Sequence, residues 1–278
     1  MEKLPFDFTK AVSERYSMRT FNSNPVEEKT RRQILDFAEN ITNPFGPKIR
    51  IKFIEKNTDS KGEKLGTYGI IKNASLFLGV AVKKDDFAME ALGYEFEELI
   101  LYITSLGLGS CWIGGTFDKT SFSQIMAPEK NEIFSIISPV GYGGKKRLFE
   151  KVMRANLKAD SRLSWDKLFF TENFSNPLKK DFNAEYAYVL EMLRQAPSAV
   201  NKQPWRVVYK DKAFHFFENH SMPVSEDFDI QRVDMGIALC HFDFAAREKN
   251  LKGHFEKVQI EINLPQNTEY ITSWICEE

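Results

Sequence analysis

The apolar and polar positions of the chain repeat one order of elements. Residues 25–40 carry apolar side chains at helical spacing and begin with a proline, which predicts an amphipathic helix. A Pro- and Gly-rich turn then leads into the alternating segment 49–56, which predicts a strand. Residues 177–195 predict a similar helix, followed by a polar loop at 196–205 and a strand over 206–210. Helix, loop and strand therefore occur twice in the same order.

A long apolar helix follows each of these units. We predict one over residues 93–112, ending at Gly107 and Gly109, and one over residues 236–255, with Gly253 at the expected helix stop. In both segments a leucine stands 15 positions after the first glycine and an aromatic residue 19 positions after it. Amphipathic helices can share such a rhythm by chance, but the repeated order of elements favours an internal repeat with an approximate two-fold relation.

The composition fits two halves with a substantial common core. The 278 residues are 42% hydrophobic and include 24 phenylalanines. We place the halves at residues 1–150 and 151–278, joined within the charged stretch 145–162. A net charge of −1, from 38 basic and 39 acidic residues, argues against nucleic acid or an anionic membrane as the main partner, although a local basic patch could bind a small phosphate.

Metal binding and membrane insertion are not indicated by the sequence. The three cysteines show no ligand or disulfide spacing, and the four histidines are scattered. The N-terminus lacks a signal-peptide pattern, and no stretch has the roughly 18 apolar residues of a membrane span. We therefore expect a cytoplasmic protein without a metal. Cys111 and His241 are expected in the core, and the acidic pair Glu97 and Glu98 at the surface.

A candidate anion site lies near the N-terminus. Arg15, Ser17 and Arg19 alternate, so an extended backbone places two guanidinium groups and a hydroxyl on one side. Such a group can form charge-assisted hydrogen bonds with a phosphate. A solvated surface with ordinary ion pairs is the alternative interpretation.

A candidate cofactor loop lies in the second half, at residues 196–208. The small side chains of Ser198 and Ala199 permit close approach of a flat ligand, and Asn201 and Gln203 offer both donors and acceptors to a heteroaromatic edge. The alternative is an ordinary polar turn between a helix and a strand.

Four segments together resemble the FMN-dependent nitroreductase family, over roughly residues 11 to 260. Residues 196–208 (APSAVNKQPWRVV) resemble the family loop that lines FMN, and residues 14–21 (ERYSMRTF) resemble its phosphate-binding motif. Residues 107–115 (GLGSCWIGG) resemble the segment along the isoalloxazine ring. Residues 139–147 (PVGYGGKKR) resemble a late strand and turn, with glycine in place of the family's proline.

The resemblance implies an α+β fold with a central, mostly antiparallel sheet flanked by helices, and it implies a set of FMN contacts. At the phosphate these are Arg15, Tyr16, Ser17, Arg19 and Arg162, with Lys145, Lys146 and Lys158 as weaker candidates. Along the ring and ribityl chain they are Ile113, Gly114 and Gly115 on one side and Pro197, Ser198, Ala199, Asn201 and Gln203 on the other.

The motifs are divided between the halves. The first half has the phosphate motif but carries ITNPFGPKIR instead of the cofactor loop, whereas the second half has the loop but no phosphate motif. In ordinary family members a homodimer builds two sites, so the resemblance implies a single-chain pseudo-dimer with one intact FMN site. A monomer is the default expectation, and a further homodimer is left open.

The resemblance also implies a reaction. NADH or NADPH would deliver hydride to the flavin N5, and a nitroaromatic, quinone or similar acceptor would then take it in ping-pong fashion, without a required catalytic side chain. Two alternatives stay open: another flavin reaction, such as dehalogenation or dehydrogenation, and a non-enzymatic flavin-binding or sensing protein.

Overall fold

The computed structural model describes residues 4–55, 67, 69–145, 147–225 and 228–277. The helices are α1 (Phe8–Glu14), α2 (Glu28–Asn40), α3 (Ala88–Ser105), α4 (Lys119–Met126), α5 (Leu148–Asn156), α6 (Ala184–Gln195) and α7 (Ile230–Glu248). The strands are β1 (Ile49–Glu55), β2 (Leu76–Lys83), β3 (Gly109–Ser110), β4 (Ile113–Gly114), β5 (Glu132–Gly141), β6 (Phe169–Thr171), β7 (Asn173–Pro177), β8 (Trp205–Lys210), β9 (Ala213–Asn219), β10 (Gly253–Glu256) and β11 (Thr268–Cys276).

The first sheet has the strand order β1-β2-β5-β3, and β4 also pairs with β5. All of its pairs are antiparallel. Strand β2 is apolar along nearly its whole length and buried on both faces. One face meets the large core around α3, and the other meets a smaller cluster that includes Phe77, Phe122 and Phe134 under α4.

The second sheet has the order β10-β11-β9-β8-β6-β7, antiparallel except for the parallel pair β6 and β8. Its central strands repeat the order of the first sheet. In the first half, α2 is followed by β1 and β2, then by α3 and later β5; in the second half, α6 is followed by β8 and β9, then by α7 and later β11. The neighbouring strands are β1-β2-β5 in one sheet and β8-β9-β11 in the other. The predicted α+β class, the mostly antiparallel pairing and the repeated order of elements are confirmed. The strands are divided between two sheets rather than forming one central sheet.

Helices α3 and α7 pack against each other between the sheets, and their closest approach is at two glycines. A Cβ atom on Gly93 would lie 2.1 Å from the carbonyl oxygen of Val233, and one on Gly236 would lie 2.1 Å from that of Glu90. Each glycine thus faces the carbonyl three positions before the other glycine, so the contact is reciprocal. These are the two glycines that begin the matched segments of the sequence.

The predicted bounds of several helices are corrected by the structure. Helix α3 begins at Ala88, not at residue 93, and ends at Ser105, so that residues 109–112 lie beyond it. Helix α6 begins at Ala184, not at residue 177, because the side chain of Asn183 caps it and Pro177 ends β7. Helix α7 ends before Gly253, and the left-handed residue after it is Asn250 (φ 54°). Gly253 instead begins β10, where a Cβ would lie 2.4 Å from Nε1 of Trp274.

The charged stretch 145–162 contains α5, a helix that the hydrophobic pattern did not predict. Within the described part of the chain, no helix combines the length and the apolarity that crossing a bilayer requires.

We expect Gly93→Ala and Gly236→Ala each to lower the free energy of unfolding by about 2–4 kcal/mol, because the added methyl group must push the α3 and α7 backbones apart. The cost of separating the helices is larger than the ~1 kcal/mol of stability that replacing glycine by alanine adds within a helix. Because one separation accommodates both methyl groups, the double variant should cost less than the sum of the singles. Urea unfolding followed by circular dichroism measures these values.

The matched control is Gly107→Ala. Gly107 has φ +77° and no atom within 4 Å of an added Cβ, so this variant reports backbone strain alone, about 1–2 kcal/mol. Additive losses at Gly93 and Gly236, or losses no larger than the control's, would show that the helices do not depend on this contact.

Candidate functional site

The predicted anion motif runs as an extended segment beside β3. The backbone N–H of Met18 donates to the carbonyl of Ser110 at 2.8 Å, next to a parallel bridge between Ser17 and Ser110. The side chains of the motif lie around one buried thiol. Burial raises the pKa of Cys111, while the positive charges of Arg19 and Arg15 and a hydrogen bond with Ser17 act to lower it. The structure therefore brings the three motif side chains together.

Glu97 was expected at the surface, and that prediction is wrong. Its side chain is fully buried, because α3 is enclosed between the first sheet and α7. Its Oε1 lies 3.8 Å from Nε of Arg15 and 3.1 Å from Nε2 of His241, and its Oε2 accepts a hydrogen bond from Trp112. Glu97 therefore fixes Arg15 at the edge of the helix pair.

Arg162 lies beside the same cluster. Its guanidinium donates to the carbonyl of Gln195 at 2.9 Å, at the end of α6. Burial, together with the positive charges of Arg15 and Arg194, lowers the pKa of Arg162 to about 10. Arg15 and Arg162 are thus close enough to repel each other in a partly dehydrated place, an arrangement that an anion would relieve.

Two buried donors in this cluster lack an acceptor. Among the described residues, Nε of Arg19 and Nε of Arg162 are buried without a hydrogen-bond partner. Leaving such a charged donor unpaired costs about 1–3 kcal/mol or more, so each orphan indicates a missing partner. Phosphate oxygens supply the acceptors that these donors lack, and the residues present therefore fit the phosphate of FMN.

The predicted cofactor loop is hydrogen-bonded to an acidic side chain on α7. The backbone N–H of Ala199 donates to both carboxyl oxygens of Asp234, at 2.9 and 3.1 Å. Asp234 is buried, and burial raises its pKa well above the usual range. The hydroxyl of Ser198 closes the loop by accepting from the backbone N–H of Gln203 at 2.9 Å.

The two amides of the loop bind the protein itself. Gln203 is buried, and its Oε1 accepts from the N–H of Leu163 at 2.8 Å while its Nε2 donates to Asn201. The side chain of Asn201 donates to the carbonyls of Lys158 and Ser161, at 2.8 and 3.2 Å. These bonds hold the loop against residues 158–163, which places it next to Arg162.

The loop conformation carries local strain that these bonds offset. Val200, Asn201 and Gln203 all have positive φ, at 44°, 58° and 51°. A non-glycine residue held there costs on the order of 1–3 kcal/mol and persists only where its surroundings impose it.

The segment Ile113–Gly115 meets the second half at the start of α7. A Cβ on Gly114 would lie 2.3 Å from Cδ1 of Ile230, and nothing lies within 4 Å of a Cβ on Gly115. Ile230 and Asp234 are one turn apart on α7, so they lie on one side of the helix. Residues 113–115 and the loop at Ala199 therefore rest on the same turn.

An ion-pair cluster fixes this turn. Arg232 lies 2.9 Å from Oε1 of Glu90 on α3 and 2.8 Å from Oε2 of Glu218 on β9. Glu218 also lies within 4.8 Å of ligand atoms of His220 and Asp229, a geometry that a metal could use. Through its ion pairs with Glu90 and Glu218, Arg232 ties α7 to α3 and to the second sheet.

The remaining predicted phosphate ligands have different surroundings. Tyr16 turns towards α5, where the guanidinium of Arg154 lies 5.7 Å from its ring centre, and burial raises its pKa. Lys145 lines a surface cleft, Lys158 contributes its carbonyl to Asn201, and Lys146 lies outside the described residues.

The matching loop of the first half is filled with aromatic rings. Phe45 stacks on Phe87 with ring centres 5.7 Å apart and also meets Tyr94 and Phe255, at 6.0 and 5.6 Å. The loop at residues 41–48 therefore places a large aromatic side chain where the loop of the second half has small residues.

Known proteins resemble the chain over most of its length. Residues 7–246 match the family model described as "Putative TM nitroreductase". A structure described as "a putative nitroreductase" from Thermotoga maritima has a TM-score of 0.59 and 20% identity, covering 99% of this chain and 96% of that one. No curated protein sequence matches.

Other solved structures match half of the chain. An FMN-dependent nitroreductase from Clostridium difficile has a TM-score of 0.39 and 17% identity, covering 49% of this chain and 88% of that one. A nitroreductase family protein from Clostridium novyi has a TM-score of 0.40 and 13% identity, covering 50% and 86%.

We expect Asp234→Ala to lower the free energy of unfolding by about 1–3 kcal/mol and to weaken ligand binding at the loop, because the N–H of Ala199 loses its acceptor. Asp234→Asn should stay within ~1 kcal/mol of wild type, because its amide oxygen can still accept that bond and a neutral group suits the site. Urea unfolding at pH 7 and titration with FMN measure both effects.

Asp36→Ala, at an exposed position on α2, is the control for loss of an aspartate. Equal damage from Asp234→Asn and Asp234→Ala would mean that the negative charge, and not the accepted hydrogen bond, is what the loop requires.

Proposed function

The chain belongs to the family described as "Putative TM nitroreductase", and from this premise we propose that it is an oxidoreductase holding one FMN between its halves. The observation that carries the proposal is the pair of buried, unpartnered donors, Nε of Arg19 and Nε of Arg162. They come from different segments and lie beside a loop that a dedicated acid, Asp234, holds in a strained shape.

When bound, FMN would supply the redox chemistry, by accepting a hydride from NADH or NADPH and passing it to an acceptor such as a nitroaromatic compound or a quinone. The chain supplies binding and orientation. Arg15, Ser17, Arg19 and Arg162 would hold the phosphate, and the positive charges of the three arginines would attract its negative charge. We assign the ring and ribityl chain to the space between residues 113–115 and the loop 197–203.

The distribution of contacts supports one FMN per chain. Phosphate ligands come from the first half and the connection, whereas the loop comes from the second half. At the pseudo-equivalent position, Phe45, Phe87 and Phe255 pack together and leave a less suitable place for a second flavin. We therefore propose a pseudo-dimer of halves 1–150 and 151–278, which needs no second chain to complete its site, and a monomer as the working unit.

The test of the function is a flavin titration followed by turnover. Purified protein reconstituted with FMN should saturate near one equivalent per chain. Adding NADH or NADPH without oxygen should bleach the flavin absorbance, and a nitroaromatic compound or a quinone should restore it. Failure to bind FMN would refute the cofactor, a second equivalent site would refute the division between halves, and a bound flavin that neither nucleotide bleaches would refute the reaction.

The phosphate assignment has its own test. Arg19→Ala should weaken FMN binding by about 1.5–3 kcal/mol, the worth of a hydrogen bond to a charged group, and should change riboflavin binding far less. Arg15→Ala should act in the same direction. Fluorescence quenching of each flavin gives both dissociation constants.

Arg32→Ala is the matched control, because Arg32 is exposed on α2. Equal losses for FMN and riboflavin in Arg19→Ala would place this arginine away from the phosphate.

A further inference from the structure

A second concentration of positive charge lies in a surface cleft of about 420 Å³. Three chain segments form it: the residues just after the anion motif, a turn before β2, and the approach to α5. The lining residues are Thr20, Phe21, Asn22, Ser23, Lys72, Asn73, Gly144, Lys145 and Arg147. Neither Arg19 nor Arg162 is among them, so the cleft differs in its ligands from the proposed flavin phosphate site.

The charges of the cleft are uncompensated at its surface. Lys72, Lys145 and Arg147 are cationic, and none of the described residues that line the cleft is acidic. Within the described residues, the side chains of Lys72 and Lys145 have neither an ion pair nor a hydrogen bond. Neighbouring like charges repel, so keeping three of them around one cleft favours an anion between them.

The walls of the cleft are fixed by close backbone contacts. The N–H of Gly144 donates to the carbonyl of Thr20 at 3.0 Å, and a Cβ on Gly144 would lie only 2.5 Å from the carbonyl oxygen of Phe21. On the opposite wall, the backbone of Phe21 is also held in place, because its N–H donates to the carbonyl of Lys72 at 3.0 Å. The three segments are therefore held together independently of any ligand.

Arg147 is held in a defined position. Its Nε donates to the hydroxyl of Thr20 at 3.1 Å and its Nη2 to the carbonyl of Ile70 at 2.9 Å. The same hydroxyl donates to the buried carboxylate of Glu150 at 3.0 Å, which lies beneath the cleft and does not line it. A preorganised guanidinium loses little freedom on binding an anion.

Helix α5 begins at Leu148, directly after Arg147, and no side chain caps its first turn. The positive end of its dipole adds to the field of the three basic residues.

An apolar face continues from the cleft. Leu148, Phe149 and Val152 are 77%, 50% and 50% exposed, and their spacing places them on one side of α5. Arg147 lies 5.7 Å from the ring centre of Phe149, which connects this face to the cleft. Exposed apolar groups beside a basic cleft suit a phosphate that carries an apolar part.

We propose that this cleft is a second phosphate-binding site, for a phosphoryl group that is either free in a small soluble compound or part of an anionic phospholipid headgroup. Lys72, Lys145 and Arg147 would supply the charge, and Ser23 and Asn73 further polar contacts. The site does not depend on flavin binding.

The test uses full-length protein saturated with FMN and two probes. Calorimetric titration with inorganic pyrophosphate reports a free phosphate ligand. Co-sedimentation with phosphatidylcholine vesicles, with and without phosphatidic acid, reports a headgroup. We expect the double variant Lys72→Glu/Lys145→Glu to weaken the positive response at least ten-fold. Lys29→Glu/Lys130→Glu, which makes the same charge change at exposed positions elsewhere, should leave it unaltered.

A third variant separates the two sources. Leu148→Ser/Phe149→Ser should abolish vesicle binding and leave pyrophosphate binding intact. If the charge reversal disturbs folding, seen as a lowered melting temperature, Lys72→Gln/Lys145→Gln replaces it.

Each outcome decides the proposal. Saturable pyrophosphate binding that requires the two lysines supports a free ligand, and vesicle binding that requires the lysines and the apolar pair supports a headgroup. No response in either arm, an equal loss in the Lys29/Lys130 control, or displacement of FMN by pyrophosphate would overturn it. If the protein binds no flavin, the same titrations on the protein as purified test the cleft separately from the proposed function.

Discussion

The contact between α3 and α7 governs the rest of the structure. At this crossing Gly93 and Gly236 allow each backbone to touch the other, so the two sheets are brought around one shared core. The first turn of α7 then meets Gly114 through Ile230 and holds Ala199 through Asp234. Both walls of the candidate site are therefore positioned by the packing of these two helices, since Asp234 lies between Val233 and Gly236 at their closest approach.

Buried charge is the second constraint. Arg15, Arg19 and Arg162 gather where the halves meet, but the structure provides a full acid partner, Glu97, for Arg15 alone among the pairs described for them. A stable fold tolerates such an imbalance only when the stability supplied elsewhere is sufficient or when a ligand completes the set. The nitroreductase-like fold is confirmed by its family and its structural neighbour, whereas the ligand itself rests on this imbalance.

Sequence reasoning succeeded where the relevant chemistry is local and failed where it is tertiary. The repeat, the convergence of Arg15, Ser17 and Arg19, and the helix–loop–strand order follow from spacing along the chain. Asp234 and Glu97 were missed as structural partners because each lies in a helix whose burial depends on segments far away in sequence. The one sequence feature that could have pointed to them is an acidic residue within an otherwise apolar helix. Such a residue fits a buried ion pair or hydrogen bond as well as it fits an exposed position.

The aromatic filling around Phe45 has a consequence for how such a protein can change over time. In a homodimer every substitution appears at both equivalent places, so a side chain that plugs one cavity also plugs the other. Joining two copies in one polypeptide removes that restriction, and each copy can acquire its own residues. In the proposed pseudo-dimer, Phe45 and its neighbours are then packing that a symmetric homodimer could not adopt without filling its own ligand site.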